Sequence, residues 1–207
     1  MAKHRPSPVE IQEALRQAHG LHEASRLTEA EDAYRHVLRL HSTHVDALHG
    51  MALLHVRQQR CDEAMVLYDR LRVMLPRHPA LLSDRGNALM RLGRTADALV
   101  DYDKALAAAP DHIPSLYNRG NALSALGRPA EALASYDRVL ALQPALVEAL
   151  ANRGNALRAL GRFDEALASY EAALAQRPDD PEILNNRGSV LFDLGRDAEA
   201  IVTFNAA

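Results

Sequence analysis

The chain has no tryptophan, a single cysteine, only 4% aromatic residues and two lysines, Lys3 and Lys104, among its 24 basic residues. So few rings exclude a globule built around a large aromatic core. With 48% hydrophobic content over 207 residues, the composition fits helices filled by Ala and Leu. Cys61 has no partner for an internal disulfide, which agrees with a reducing compartment. The formal charge is −3 and no block of like charge occurs, so neither nucleic acid nor an acidic membrane surface is indicated as a partner. No apolar run approaches the ~18 residues of a membrane span, and residues 1–8 lack the apolar core of a secretion signal, so a cytoplasmic location is expected. Phosphate-binding loops, nucleophile elbows and paired-carboxylate clefts are also missing, so the expected chain is no enzyme and holds no cofactor or metal.

What the sequence does have is a period. The phrase NRGNAL stands at Asn118–Leu123 and again at Asn152–Leu157, with DRGNAL at Asp84 and NRGSVL at Asn186. Gly86, Gly120, Gly154 and Gly188 are 34 residues apart, as are Gly93, Gly127, Gly161 and Gly195, and the prolines Pro76, Pro110, Pro144 and Pro178. The aromatic row Tyr34, Tyr68, Tyr102, Tyr136, Tyr170 and Phe204 and the alanine row from Ala30 to Ala200 keep the same register. The expected organisation is an N-terminal extension, 1–10, then one array with repeats 11–44, 45–78, 79–112, 113–146 and 147–180 and a partial unit 181–207.

Each unit reads as two helices. In 113–146, Leu116, Gly120 and Leu123 recur at helical spacing, and Gly127 closes the first helix as a left-handed cap. Pro129 and Glu131 suit the first turn of a second helix, whose apolar face is Ala132, Leu133, Tyr136, Val139 and Leu140. Gly120 and Ala132 permit close approach, and Tyr136 fills the space beside them. Glycine, leucine-glycine, alanine, aromatic and proline in this order and at this period resemble the tetratricopeptide repeat (TPR). The likeness is weaker in the first two units, where Ala18 and Ala52 replace the first glycine, Ser25 and Gln59 the second, and Ser42 the first proline. It implies an all-α, right-handed superhelical solenoid, and a protein or peptide partner held along the first helices of successive units.

Two asparagine rows fall on one face of those first helices: Asp84, Asn118, Asn152 and Asn186, and three residues on, Asn87, Asn121, Asn155 and Ser189. An Asn inside a helix costs ~0.6 kcal/mol against Ala, so an interaction is expected to offset it. A carboxamide offers both donor and acceptor to an extended peptide backbone. The first row resembles the asparagine ladder of the O-GlcNAc transferase family, where such rows are associated with substrate peptides; the alternative is a bond to a neighbouring helix. Groove specificity would be written at Tyr117, Ser124, Glu148, Arg158 and Asn185.

The arginines Arg85, Arg119, Arg153 and Arg187 stand where the family usually has an apolar residue. Each follows by 16 residues an acid, Asp69, Asp103, Asp137 or Glu171, so a ladder of inter-repeat pairs is expected, with independent solvated charges as the alternative. Nine of ten histidines precede residue 79. The spacing of His19 with His22 and of His41 with His44 allows a metal but lacks further ligands, whereas His19, His22 and His49 could meet and give a mild pH response. The basic groove residues of a carboxylate clamp are missing. Because Asn205, Ala206 and Ala207 fall inside the second helix of the last unit, two alternatives join the stand-alone scaffold: the recognition arm of a larger glycosyltransferase, or a solenoid that self-associates through its bare last repeat.

Overall fold

The computed structural model describes residues 7–207. Among these, twelve α-helices follow one another and no strand occurs: α1 (Pro8–Glu23), α2 (Leu27–Leu40), α3 (Val45–Arg57), α4 (Cys61–Met74), α5 (Pro79–Arg91), α6 (Thr95–Ala108), α7 (Ile113–Ala125), α8 (Pro129–Leu142), α9 (Val147–Ala159), α10 (Phe163–Leu174), α11 (Pro181–Asp193) and α12 (Asp197–Asn205). The all-α fold of two-helix units is therefore as expected. The chain forms two compact units, one ending at Asp101 and the other beginning at Tyr102, so the division falls inside α6.

In the N-terminal unit α1 packs on α2, α3 on both α2 and α4, and α4 on α5. Its core holds Tyr34, Tyr68, Leu48, Leu54, Leu71 and Leu89, all fully buried. Ser7 and Glu10 form a reciprocal capping box that opens α1. The turns after α1 and α3 are closed by Ser25 and Gln59 at φ +59° and +63°, the left-handed conformation that glycine adopts without steric cost. These are the places where the sequence departs from the glycine row, and the backbone keeps the turn regardless. Cys61 is the first residue of α4 and is buried.

In the C-terminal unit α7 packs on α8, α9 on both α8 and α10, and α11 on both α10 and α12. Tyr136, Tyr170, Leu123, Leu157 and Leu191 are fully buried; each leucine contributes about 1.5–3 kcal/mol by leaving water. Gly120 and Gly154 are required by the tyrosines: a Cβ at either would lie 2.5 Å from Cε1 of Tyr136 or Tyr170. The first unit solves the same packing problem differently. Ala18 occupies the equivalent place on α1, and the ring of Tyr34 lies instead against Gly50 of α3, where an added Cβ would be 2.5 Å from Cζ.

Several histidines are explained by the backbone. His44, His78 and His112 each occupy the N-cap of a first helix, 34 residues apart, and Nδ1 of His44 and of His78 accepts the N–H of Ala47 and of Leu81 at 3.4 Å.

Candidate functional site

Within the C-terminal unit α7 touches α9 and α9 touches α11, so the first helices share one face. The asparagine rows run across it, and the two rows are bonded differently. In the second row, Oδ1 of Asn121 and of Asn155 accepts the hydroxyl of Tyr136 at 2.8 Å and of Tyr170 at 2.7 Å. Burial raises both phenols to about 12, so each stays protonated and donates. Ser189, the last of this row, donates to the backbone carbonyl of Asn185. These bonds satisfy buried hydroxyls and offset the helix cost of the asparagines.

In the first row, Asn152 Nδ2 donates to Asn121 Oδ1 at 2.9 Å and to the Tyr117 hydroxyl at 3.1 Å, joining one unit to the next. Its Oδ1 stays open. Asn118 and Asn186 are half-buried, and no described residue bonds their carboxamides. Two depressions open beside this row. One, of about 700 Å³, has Asn155 and Asn186 in its wall and is edged by Arg158 and Asp193, which pair at 2.9 Å. The other, of about 160 Å³, has Tyr117 and Asn152 with Glu148, which bonds Arg177 at 2.5 Å. Glu148 is held below the usual carboxylate range by its own backbone N–H and by Arg177. Ser124 lies 3.4 Å from the Tyr136 hydroxyl, and Asn185 is exposed on α11. The members of the rows that lie in the N-terminal unit are placed otherwise: Asp84 Oδ2 is 2.8 Å from His49 Nε2, and Asn87 is half-buried on α5.

The arginines bind in two directions. Arg119 Nε donates to Asp103 at 2.7 Å and Arg153 Nε to Asp137 at 2.6 Å, each reaching back to the preceding second helix. Their other ends donate forward, to the hydroxyls of Ser135 at 2.8 Å and Ser169 at 2.6 Å. Arg187 follows the pattern with Thr203 at 2.8 Å and a longer reach to Glu171, 3.4 Å. Arg85 lies 3.0 Å from Asp69, but its shorter bond, 2.5 Å, is to the buried Asp101. Sequence reasoning missed this forward partner, although Asp101, Ser135, Ser169 and Thr203 all stand 16 residues after an arginine. It also missed that the residue before each second helix, Arg26, Arg60, Arg94, Arg128, Arg162 or Arg196, pairs with an acid three positions on. Those pairs are exposed at the helix starts and clip the turns.

Among the described residues no group of three or more His, Cys, Asp and Glu is set to hold a metal, and no helix is long and apolar enough to cross a membrane. The geometry thus offers hydrogen-bonding surface. Family models described as tetratricopeptide repeat match residues 15–79 and 78–145, and one described as TPR repeat matches 154–195.

The chain is a tetratricopeptide repeat protein. Comparison with curated proteins finds none that matches. Solved TPR structures do match. A tetratricopeptide repeat protein from Parabacteroides merdae ATCC 43184 aligns over 93% of this chain and 77% of its own, at 22% identity and TM-score 0.79. YrrB, described as a TPR protein with an unusual peptide-binding site, aligns over 83% and 88%, at 22% identity and TM-score 0.69. MamA from Desulfovibrio magneticus RS-1 aligns over 78% and 91%, at 20% identity and TM-score 0.74. At these identities the likeness is one of fold. TPR scaffolds are typical of protein–protein interaction.

Proposed function

We propose that the chain is a scaffold that binds a protein partner by holding an extended segment along the face of α7, α9 and α11. The observation that carries this reading is the half-buried, unbonded state of the Asn118 and Asn186 carboxamides, with Asn186 in the wall of one open depression and Asn152, of the same row, in the wall of the other. A polar group so placed finds its partner in a ligand or in water, and a row of carboxamides matches the alternating N–H and C=O of an extended strand. The second-row asparagines position this surface by bonding Tyr136 and Tyr170. Tyr117, Glu148, Arg158 and Asn185 supply a mixed rim, which suits a polar segment.

The test uses an array of unstructured polar peptides, each as the plain and the alternately N-methylated form. Backbone recognition predicts binding that tolerates side-chain changes, fails on N-methylation and falls about tenfold or more in Asn118→Ala/Asn152→Ala/Asn186→Ala. Binding by the triple variant as tight as by the parent would exclude the reading. The same face would serve equally as the recognition arm of a larger glycosyltransferase, for which a transfer assay on the natural gene product is the check. A second reading, self-association, is favoured by Phe192, Ile201 and Val202, which are 64%, 60% and 70% exposed on the α11–α12 pair. Sedimentation of Ile201→Glu/Val202→Glu against the parent separates it, since only self-association predicts a change in mass.

A further inference from the structure

The N-terminal unit carries a further cleft, of about 440 Å³, between α1, α2 and α3, a volume within the ~300–1,000 Å³ usual for ligand sites. Gly50 opens it. The equivalent place in the C-terminal unit is Asn152, whose side chain reaches across to Tyr117 and Asn121, whereas at Gly50 any side chain would strike the Tyr34 ring. The walls are aromatic: His19 and His22 pack on Tyr34 with ring centroids 5.7 and 6.1 Å away, and His22 Nδ1 is 3.3 Å from the Tyr34 hydroxyl. Two carboxylates, Glu23 and Asp46, stand at the edge, and no described cation pairs with either. The one arginine of the lining, Arg57, is already engaged, donating to the His22 carbonyl at 3.1 Å and to Ser25 Oγ at 2.7 Å.

We propose that this cleft is a subsite for an arginine side chain of a protein partner, its guanidinium over the His19 and His22 imidazoles and its N–H groups on Glu23 and Asp46. The stem of such a side chain is apolar and its head is planar and cationic, which matches rings below and acids at the edge. A glutamate or aspartate would meet two like charges, and a purely aliphatic side chain would leave both carboxylates unanswered. Burial, then the nearby Arg57 and His19, lowers the His22 pKa, so that ring is neutral at physiological pH and presents a π face instead of a charge. The groups that face the site are His19, His22 and Glu23 from α1, Tyr34 from α2 and Asp46, His49 and Arg57 from α3, with Asp84 of α5 behind His49. Protonation of His22 in acid therefore adds positive charge beside the site and opposes a cation. This subsite is independent of the asparagine face on α7, α9 and α11.

The full chain is titrated with acetylated, amidated Gly-Arg-Gly, Gly-Leu-Gly and Gly-Glu-Gly, following the imidazole signals of His19, His22 and His49 by NMR. Gly-Arg-Gly is expected to shift all three saturably near pH 7.5, with Gly-Leu-Gly at least about tenfold weaker and Gly-Glu-Gly inert. Glu23→Gln/Asp46→Asn, two surface changes, is expected to weaken Gly-Arg-Gly by about tenfold. Asn118→Ala/Asn152→Ala/Asn186→Ala is expected to keep the response, so failure of the asparagine face and failure of this cleft are told apart. Equal shifts with all three tripeptides, tighter binding of Gly-Glu-Gly, or no saturable shift would overturn the proposal.

Discussion

The two units hold their repeats together with different chemistry. In the C-terminal unit the bonds are neutral or exposed and repeat in register: tyrosine to asparagine, and arginine forward to a hydroxyl and back to an exposed acid. In the N-terminal unit charges are buried. Asp101 receives Arg85, and Glu31, 8% exposed in its side chain, is bonded by Arg35 and by Arg60 and lies 3.5 Å from the enclosed His55. The same helix pair is thus compatible with either solution. A buried ion pair is intolerant of losing one partner, while a neutral hydrogen bond is not, so the units should answer mutation and pH unequally.

The largest contrast is expected at the residue that follows each arginine by 16. Asp101→Ala leaves the Arg85 guanidinium partly buried without its closest partner and should cost about 3–5 kcal/mol, against about 0.5–1.5 kcal/mol for Ser135→Ala at the equivalent place. Urea unfolding measures both, and equal losses would erase the distinction. Next come the glycines beneath the rings. Gly120→Ala and Gly154→Ala drive a Cβ into fully buried tyrosines and should each cost about 1–3 kcal/mol. Gly188→Ala meets Phe204, which is 41% exposed and free to turn aside, so thermal melts should show a smaller loss.

The pH response should also divide the units. Burial works to raise the Glu31 pKa, but the hydrogen bond from Arg60 and the charges of Arg35, Arg60 and His55 outweigh it, leaving the carboxyl below its ordinary 4.5. A depressed carboxylate stabilises the fold above its unfolded pKa, and that contribution is lost as pH falls through the folded value. The N-terminal unit should therefore lose stability below about pH 4.5, with Glu31→Gln less stable at neutrality but flatter across this range. Hydrogen exchange resolved by helix would show it; parallel pH profiles for parent and variant would remove Glu31 from the account. The smallest effect has the opposite sign. Gln59→Gly relieves a left-handed glutamine and should add about 1 kcal/mol in a thermal melt, whereas Gly127→Ala should subtract a similar amount.

The two-helix unit was legible because glycine, alanine, tyrosine and proline recur with no insertion, and each has a packing reason to be where it is. Backward partners of the arginines were equally readable, since an acid and a base at fixed separation form a charge pattern. Their forward partners were hidden because Asp101, Ser135, Ser169 and Thr203 share a hydrogen-bonding capacity and not a letter or a charge. The tyrosines were read as space-fillers, so their hydroxyls were never asked for an acceptor, although Asn121 and Asn155 stand at a constant 15 residues before them. Clustering of histidines near the N-terminus concealed that three of them, His44, His78 and His112, repeat as helix caps.

These bonds divide the asparagines into those that hold the fold and those that face outward, and this division is the most exposed claim. Binding of a captured polar peptide and the unfolding midpoint should be measured together for Asn121→Ala/Asn155→Ala and for Asn118→Ala/Asn186→Ala. The account predicts that the first pair lowers the midpoint by orphaning two buried hydroxyls, while the second leaves stability within about 0.5 kcal/mol or improves it and abolishes binding. A second pair that unfolds as readily as the first, or that binds as the parent does, would contradict it.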